Sequence, residues 1–293
     1  SRKIVVDELD DPKLEITLPE ALQLDPRYVV GDIVEIEVTP RNFGRIAAQT
    51  AKQVVVQRIR EAERGMVYEK FSNRESDIVT GIVQRVEQKN VFIDLGRAEA
   101  ILTPSEQIPG EIYHHLDRIK TYIIEVKKMN KGPQIMVSRT HPGLLKRLFE
   151  LEVPEIHDGV VEIKAVARES GLRSKIAVYT KDENVDPVGA CVGHKGMRVQ
   201  TIVNELRGEK IDIVKYSTDP AVYVANALSP AKVVSVDVNE AEKICRVIVP
   251  DYQLSLAIGK EGQNARLAAK LTGWKIDIKS ESQAAGLQED ELL

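Results

Sequence analysis

The sequence predicts an α+β multidomain chain. An α/β head and a long connector helix lead into a five-stranded barrel, and two units of order αββααβ follow. Three observations predict this. Apolar residues recur at threes and fours from Gly44 to about Phe71 (Ala47, Ala51, Val55, Ile59, Ala62, Met66), the period of one helix face. Five short alternating runs bounded by turn residues lie between 76 and 139, as strands of a small barrel do. Finally, Gly193-His194-Lys195-Gly196 returns as Gly259-Lys260-Glu261-Gly262, 66 positions on (259 − 193). Both copies follow an apolar stretch, and both precede a helix-like segment, a Gly (Gly208, Gly273) and a Lys-Ile-Asp-Ile strand (210–213, 275–278). The expected divisions are 1–75 for head and connector, 76–140 for the barrel, 141–217 and 218–282 for the repeats, and 283–293 for an acidic tail.

Composition bounds the possibilities. With 293 residues the chain should form two to four domains. Aromatics are only 4%, so the cores must rest on Val, Ile, Leu and Ala. No apolar run approaches the roughly 20 residues of a membrane helix, and no membrane partner is expected. Ser1-Arg2-Lys3 leads straight into strand-like residues, so no secretory leader is expected, and the missing initiator Met reads as loss of N-terminal residues. Cys191 and Cys245 sit in apolar surroundings and should be buried, reduced thiols of a cytoplasmic protein. The net charge of −4 argues against a uniformly basic nucleic-acid binder. Basic character is local: Lys260, Arg266, Lys270, Lys275 and Lys279 in the second repeat oppose only Glu261 and Asp277. That pattern predicts groove-confined affinity with a shallow salt slope.

Element by element, 4–6, 14–16 and 33–38 read as strands, with turns at Asp25-Pro26 and Thr39-Pro40. The polar face of the long helix (Arg45, Lys52, Arg58, Arg60, Arg64) reads as a solvated connector. The barrel strands are 78–86, 91–95, 98–102, 122–128 and 135–137, with a helical piece from Gly110 to about Arg118. Alternation sends Val91, Ile93 and Leu95 inward and Phe92 outward. An outward Phe there either stacks a base or packs under a neighbouring loop. In the repeats, helices at 144–151 and from Asp219-Pro220 each precede two strands, 160–166 with 174–179, and 231–238 with 241–249. Strands at 211–213 and 276–278 close the two units. Residues 283–293 read as disordered.

The repeated Gly-x-x-Gly suits a grip on a single-stranded RNA backbone. Two glycines let the chain turn tightly and let phosphates approach the main chain. Helix N-termini on either side are expected to add amide donors and a positive dipole end. This is the loop with which KH domains clamp RNA. The bland alternative is a pair of structural turns between packed helices. Candidate RNA contacts are Gly193, His194, Lys195, Gly196 and Arg198 in the first repeat, and Gly259, Lys260, Glu261, Gly262 and Arg266 in the second. Phe92 and Lys89 are the barrel's candidates. Val199, Ile202, Ile258 and Leu267 either line a groove for bases or belong to the core. Trp274 reads as core or interface packing.

Catalytic chemistry has no candidates. Neither loop ends in the Gly-Lys-Ser/Thr of a nucleotide-binding loop. There is no Cys-x-x-Cys, and the five His (114, 115, 141, 157, 194) lack metal-ligand spacing. Acidic residues read mostly as surface charge. No enzyme activity, metal or cofactor is expected.

Longer stretches carry a resemblance. Gly31 to Pro40, Gly44 to Gln53, Ser138-Arg139-Thr140-His141-Pro142, Asp186-Pro187-Val188-Gly189 and Pro250 to Gly259 resemble the NusA family of bacterial transcription factors, most of all a Gram-positive form. The resemblance covers essentially the whole chain. It implies an N-terminal polymerase-binding domain, an S1 domain and two tandem type II KH domains. It further implies a cytoplasmic factor, taken to be a monomer, that binds RNA polymerase, nascent single-stranded RNA and other elongation factors and modulates pausing, termination and antitermination. Three departures stand against the family pattern. The N-terminal domain starts partway through, so polymerase binding is expected to be impaired. Lys89 and Thr103 sit where an aromatic and a His often occur. Glu261 makes the second loop less electropositive. The alternative class is an RNA-binding accessory subunit of an RNA-degrading complex, which also joins S1 to KH. The long helix and the second KH unit speak against it.

Overall fold

The structure is a computed structural model that describes residues 1–36 and 43–290. It divides into two compact units, Ser1–Glu63 and Arg64–Leu293. In the first, β1 (Arg2–Val6) is the middle strand of a sheet, parallel to β2 (Glu15–Thr17) and antiparallel to β3 (Ile33–Glu35). Alternation turns Val5, Ile16 and Val34 inward, where they pack with Ala21 of α1 (Leu18–Leu24). The sequence reading missed α1, because seven residues are too few to show a helical period. Its signal is the local Thr17-x-x-Glu20 pattern: the Glu20 carboxylate accepts from the Thr17 hydroxyl at 3.1 Å and amide at 3.4 Å. The expected strand through Glu37-Val38 and the turn at Thr39-Pro40 lie outside the described residues.

The connector helix, α2 (Phe43–Ser72), matches its expected span. Its apolar stripe does not form a core over most of its length. Ile46, Val54, Val55 and Ile59 are each more than half exposed. Only the last turns are buried, with Val67, Tyr68 and Phe71 packing on the barrel within the second unit.

The barrel strands are β4 (Ile78–Glu87), β5 (Asn90–Asp94), β6 (Glu99–Leu102), β7 (Arg118–Met129) and β8 (Gly132–Ser138), closed in the order β4-β5-β6-β8-β7. Register shifts at Val83/Arg85 and Ile123/Glu125 bend the long strands toward closure. The helix expected from Gly110 to Arg118 is absent. That segment is held out of a helix by its partners: the Leu116 amide donates to the Val83 carbonyl at 2.9 Å, and Glu111 is drawn into a buried pair with Arg139 at 2.6 Å. The barrel's short helical turn lies instead at Pro104–Glu106.

The first KH unit comprises α3 (Pro142–Glu152), α4 (Pro154–His157), β9 (Val161–Glu169), β10 (Arg173–Thr180), α5 (Pro187–Val192), α6 (Met197–Glu205) and β11 (Lys210–Lys215). The second comprises α7 (Pro220–Ala227), β12 (Ser235–Asn239), β13 (Ile244–Val249), α8 (Leu254–Ile258), α9 (Gln263–Thr272) and β14 (Lys275–Ser280). In each sheet the second strand is central, antiparallel to the first and parallel to the third. The extra turn α4 was not expected. Strand β12 starts four residues later than read, because Leu228–Ala231 is spent on a turn.

Alternation along β9 and β10 makes the first sheet two-sided. Ile176 and Val178 pack under α3, α5 and α6, whereas Ala165, Ala167 and Ala177 pack against the helices of the second KH unit. The small Ala side chains let α7 and α9 approach that face. Free Cys191 and Cys245 are both buried, and burial pushes the Cys191 thiol up to about 12.

A final helix, α10 (Glu281–Asp290), replaces the expected disorder of the tail. Its signal is a second capping pattern, Ser280-x-x-Gln283. The Gln283 amide donates to Ser280 Oγ at 3.3 Å, and the Ser280 amide donates to Gln283 Oε1 at 3.1 Å. Residues 291–293 lie outside the described residues.

Candidate nucleic-acid interface

The two Gly-x-x-Gly loops share one backbone. The first glycine sits at φ 74°, ψ 176° in Gly193 and φ 78°, ψ 169° in Gly259. The third residue is left-handed in both, with Lys195 at φ 50° and Glu261 at φ 53°. Gly196 and Gly262 follow at φ 77° and 72°. Each loop ties itself off internally: the second glycine's amide donates to the first glycine's carbonyl at 3.1 Å. The amides of residues 194 and 195, and of 260 and 261, find no acceptor among the described residues. His194, Lys195, Lys260 and Glu261 are exposed. Each loop therefore presents two free amides at the N-terminus of a helix of nine or ten residues, an anion-seeking arrangement.

The glycines differ in their reasons. A Cβ on Gly193 would meet Arg198 Cγ at 2.7 Å, and one on Gly259 would meet the Asn264 backbone nitrogen at 2.8 Å. Gly196 and Gly262 have nothing within 4 Å of that position. The first glycine is required by packing; the second leaves open space on the outer side.

The residue five positions beyond the first glycine locks the loop. Arg198 Nη1 donates to the Ala190 carbonyl at 2.6 Å and to Glu155 of α4 at 2.9 Å. Its counterpart is Asn264, whose Nδ2 donates to the carbonyls of Ala257 and Leu228 at 3.0 Å. With both neighbours of Nδ2 being carbonyls, the amide's orientation is fixed, and Oδ1 has no partner among the described residues. Asn264 was missed by sequence reasoning; only its offset from Gly259 could have revealed it. Arg266 lies on α9 and forms a bidentate pair with Glu169 of β9, at 2.6 and 3.1 Å, while its Nη1 donates to the Glu261 carbonyl at 3.1 Å. Both arginines thus spend their guanidinium groups on protein acceptors. Of the apolar neighbours, Ile202 and Leu267 are fully buried core and Val199 packs partly against it, while Ile258 remains partly exposed. Trp274 packs against the second KH core with Lys243 Nζ 4.5 Å from its ring.

Phe92 and Lys89 belong to the barrel, apart from both loops. Phe92 points outward as expected, but the Arg85 guanidinium lies 4.1 Å from its ring centroid. Arg85 is in turn paired with Glu87 and Glu99. Lys89 forms the exposed tip of the β4–β5 turn at φ 66°, its carbonyl accepting from Gln107 Nε2 at 2.6 Å.

Several charges read as surface are buried fasteners. Glu209 accepts from Arg168 twice at 2.9 Å, from the Gly171 amide at 2.9 Å and from Ser174 Oγ at 2.6 Å, with both charged side chains fully buried. Buried Arg139 joins Glu111 of the barrel to the Glu205 carbonyl of α6 at 3.0 Å. Lys175 joins Asp212 at 2.9 Å to the Ser229 carbonyl of the second KH unit at 2.7 Å. Burial pulls the Lys175 ammonium down. Burial pushes Asp212 up, but Arg173 and Lys175 outweigh it and hold the carboxyl below its usual range.

Comparison with known proteins follows this architecture. Residues 1–65 match the NusA N-terminal domain, 73–138 the S1 RNA binding domain, 139–216 the NusA-like first KH domain and 220–286 the NusA-like second KH domain. The sequence is 70% identical to the transcription termination/antitermination protein NusA of Halalkalibacterium halodurans, over 99% of this chain and 77% of that protein. The chain belongs to the NusA family. It is also 68% identical to NusA of Bacillus subtilis, over 98% of this chain and 77% of that protein. For NusA of Thermus thermophilus the identity is 49%, over 97% and 74%. The four-part fold that the resemblance implied is therefore the fold of a NusA family member.

Proposed function

We propose that this NusA family member is a non-enzymatic termination and antitermination factor that holds nascent single-stranded RNA on its paired KH loops while the N-terminal unit engages RNA polymerase. The observation that carries this reading is the repeated backbone of 193–196 and 259–262, with free amides at two helix N-termini. A phosphodiester would take hydrogen bonds from those amides and gain from the helix dipole. Lys195 and Lys260 would add mobile charge, and Glu261 would weaken the second site. At about four nucleotides per clamp, the pair would hold roughly eight to ten. RNA so held at the polymerase exit is withdrawn from hairpin pairing, which is how such binding would bias pausing and termination. The same chemistry makes affinity modest and weakly salt-dependent.

The cytoplasm is the compartment that fits this role. Among the described residues no helix is long and apolar enough to cross a membrane. The N-terminal unit and second KH unit disfavour an accessory subunit of an RNA-degrading complex. The test is His194→Asp with Lys195→Asp. Single-stranded RNA affinity should fall severalfold with an unchanged circular dichroism spectrum. An unaltered binding curve would remove the first loop from the RNA path.

A further inference from the structure

We propose that Glu169, a residue of the first KH unit, is a positioning residue of the second clamp, fixing the Glu261 turn through Arg266. The proposal rests on reading the loops as RNA clamps. Glu169 ends β9, and its carboxylate takes three donors from the second KH unit: Arg266 Nε at 2.6 Å, Arg266 Nη2 at 3.1 Å and Gln263 Nε2 at 3.0 Å. A planar guanidinium held on its Nε–Nη2 edge has its remaining nitrogen aimed in one direction. That nitrogen, Nη1, donates to the Glu261 carbonyl at 3.1 Å. A carboxylate of one domain thus reaches, through a single side chain, the left-handed turn of the other domain's loop.

Among the described residues the first clamp has no such fastening. The residue seven positions beyond its first glycine is Gln200 (193 + 7, as 266 = 259 + 7), and Gln200 Nε2 donates within its own helix to Asn204 at 2.9 Å. The second loop also has more need of one. It carries Glu261 where the first carries Lys195, so a weakly attractive loop gains more from having its amides already set. Glu169 is only 16% exposed, and Arg266 holds its carboxyl below the usual range, so it is ionised at neutral pH. The second clamp is complete only with the first KH unit docked against it.

The test uses the whole chain and a single-stranded RNA oligonucleotide of about ten nucleotides. Variants are Glu169→Gln, Arg266→Ala and the double substitution. Amide exchange is followed at Gly262, whose amide is bonded to the Gly259 carbonyl, without RNA, and RNA affinity is measured across salt concentrations. In Glu169→Gln the Gly262 amide should exchange faster. Affinity should fall about threefold to tenfold, the loss expected for a partly exposed charged hydrogen bond, with an unchanged salt slope. Arg266→Ala should do the same, and the double variant should be no worse than either. Tighter binding in Glu169→Gln would make Glu169 a competitor of phosphate and overturn the proposal. So would unchanged exchange, or a salt slope reduced by about one charge in Arg266→Ala, the mark of a direct phosphate contact. Faster exchange with affinity unmoved in every variant, His194→Asp with Lys195→Asp included, would keep the fastening and refute the RNA reading.

Discussion

Gly193 and Gly196 are three residues apart and do different work, which a methyl group separates. At Gly193 a side chain meets both a backbone conformation open essentially to glycine alone and a contact of 2.7 Å with Arg198. Gly193→Ala should lower stability by about 3 kcal/mol, strain and overpacking together. At Gly196 the conformation is simply left-handed and the space is open. Gly196→Ala should cost about 1 kcal/mol, while RNA binding falls further, because the methyl stands where phosphate would approach. Urea unfolding midpoints and RNA titrations on the two variants check this. Equal stability losses would refute the assignment of packing to one glycine and access to the other. Both glycines were legible in the sequence; the difference between them was not, since it depends on a side chain five residues on folding back over the loop.

At the scale of elements, buried ion pairs fasten strand to strand and domain to domain. Glu209 has four donors within 2.9 Å and no exposure. Glu209→Gln leaves Arg168 buried without its counter-charge and should destabilise the first KH unit by about 3–5 kcal/mol, read as a lowered chemical denaturation midpoint. A loss under about 1 kcal/mol would mean that water replaces the carboxylate. The elements most legible in the sequence were long or repeated: α2 by its period, the αββααβ order by its duplication, and the inward Val91 and Ile93 by alternation. The short elements were hidden. Helices α1 and α10 announce themselves only through capping pairs, Thr17 with Glu20 and Ser280 with Gln283. The segment 110–118 has helical composition, but Glu111 and Leu116 bond to residues far along the chain, and those bonds outweigh local preference.

At the scale of the whole molecule, barrel and KH units form one body, and the first KH sheet is covered on both faces. Two carboxylates at the seam between KH units, Glu169 and Asp212, are held below their usual range in the folded state. A depressed folded pKa contributes stability that is complete above the unfolded value of about 4 and is lost as pH falls through the folded value. The thermal midpoint should therefore hold from neutral pH to about 5 and fall below 4, with a shallower fall in Glu169→Gln. Identical profiles for the two proteins would show that the Glu169 pair contributes nothing to docking.

The sequence by itself determined the order of the longer elements, the duplication, the tight glycine turns and the family, because hydrophobic period, glycine placement and repetition are local properties of the chain. Tertiary structure alone decided which charges are buried, that Arg198 and Arg266 bond to protein, that Phe92 lies under Arg85, and that the second loop is braced from the first KH unit. The pairings that join domains or elements, such as Arg198 with Glu155 and Arg266 with Glu169, link residues tens of positions apart, and nothing in the spacing of a sequence records which distant side chains folding brings together.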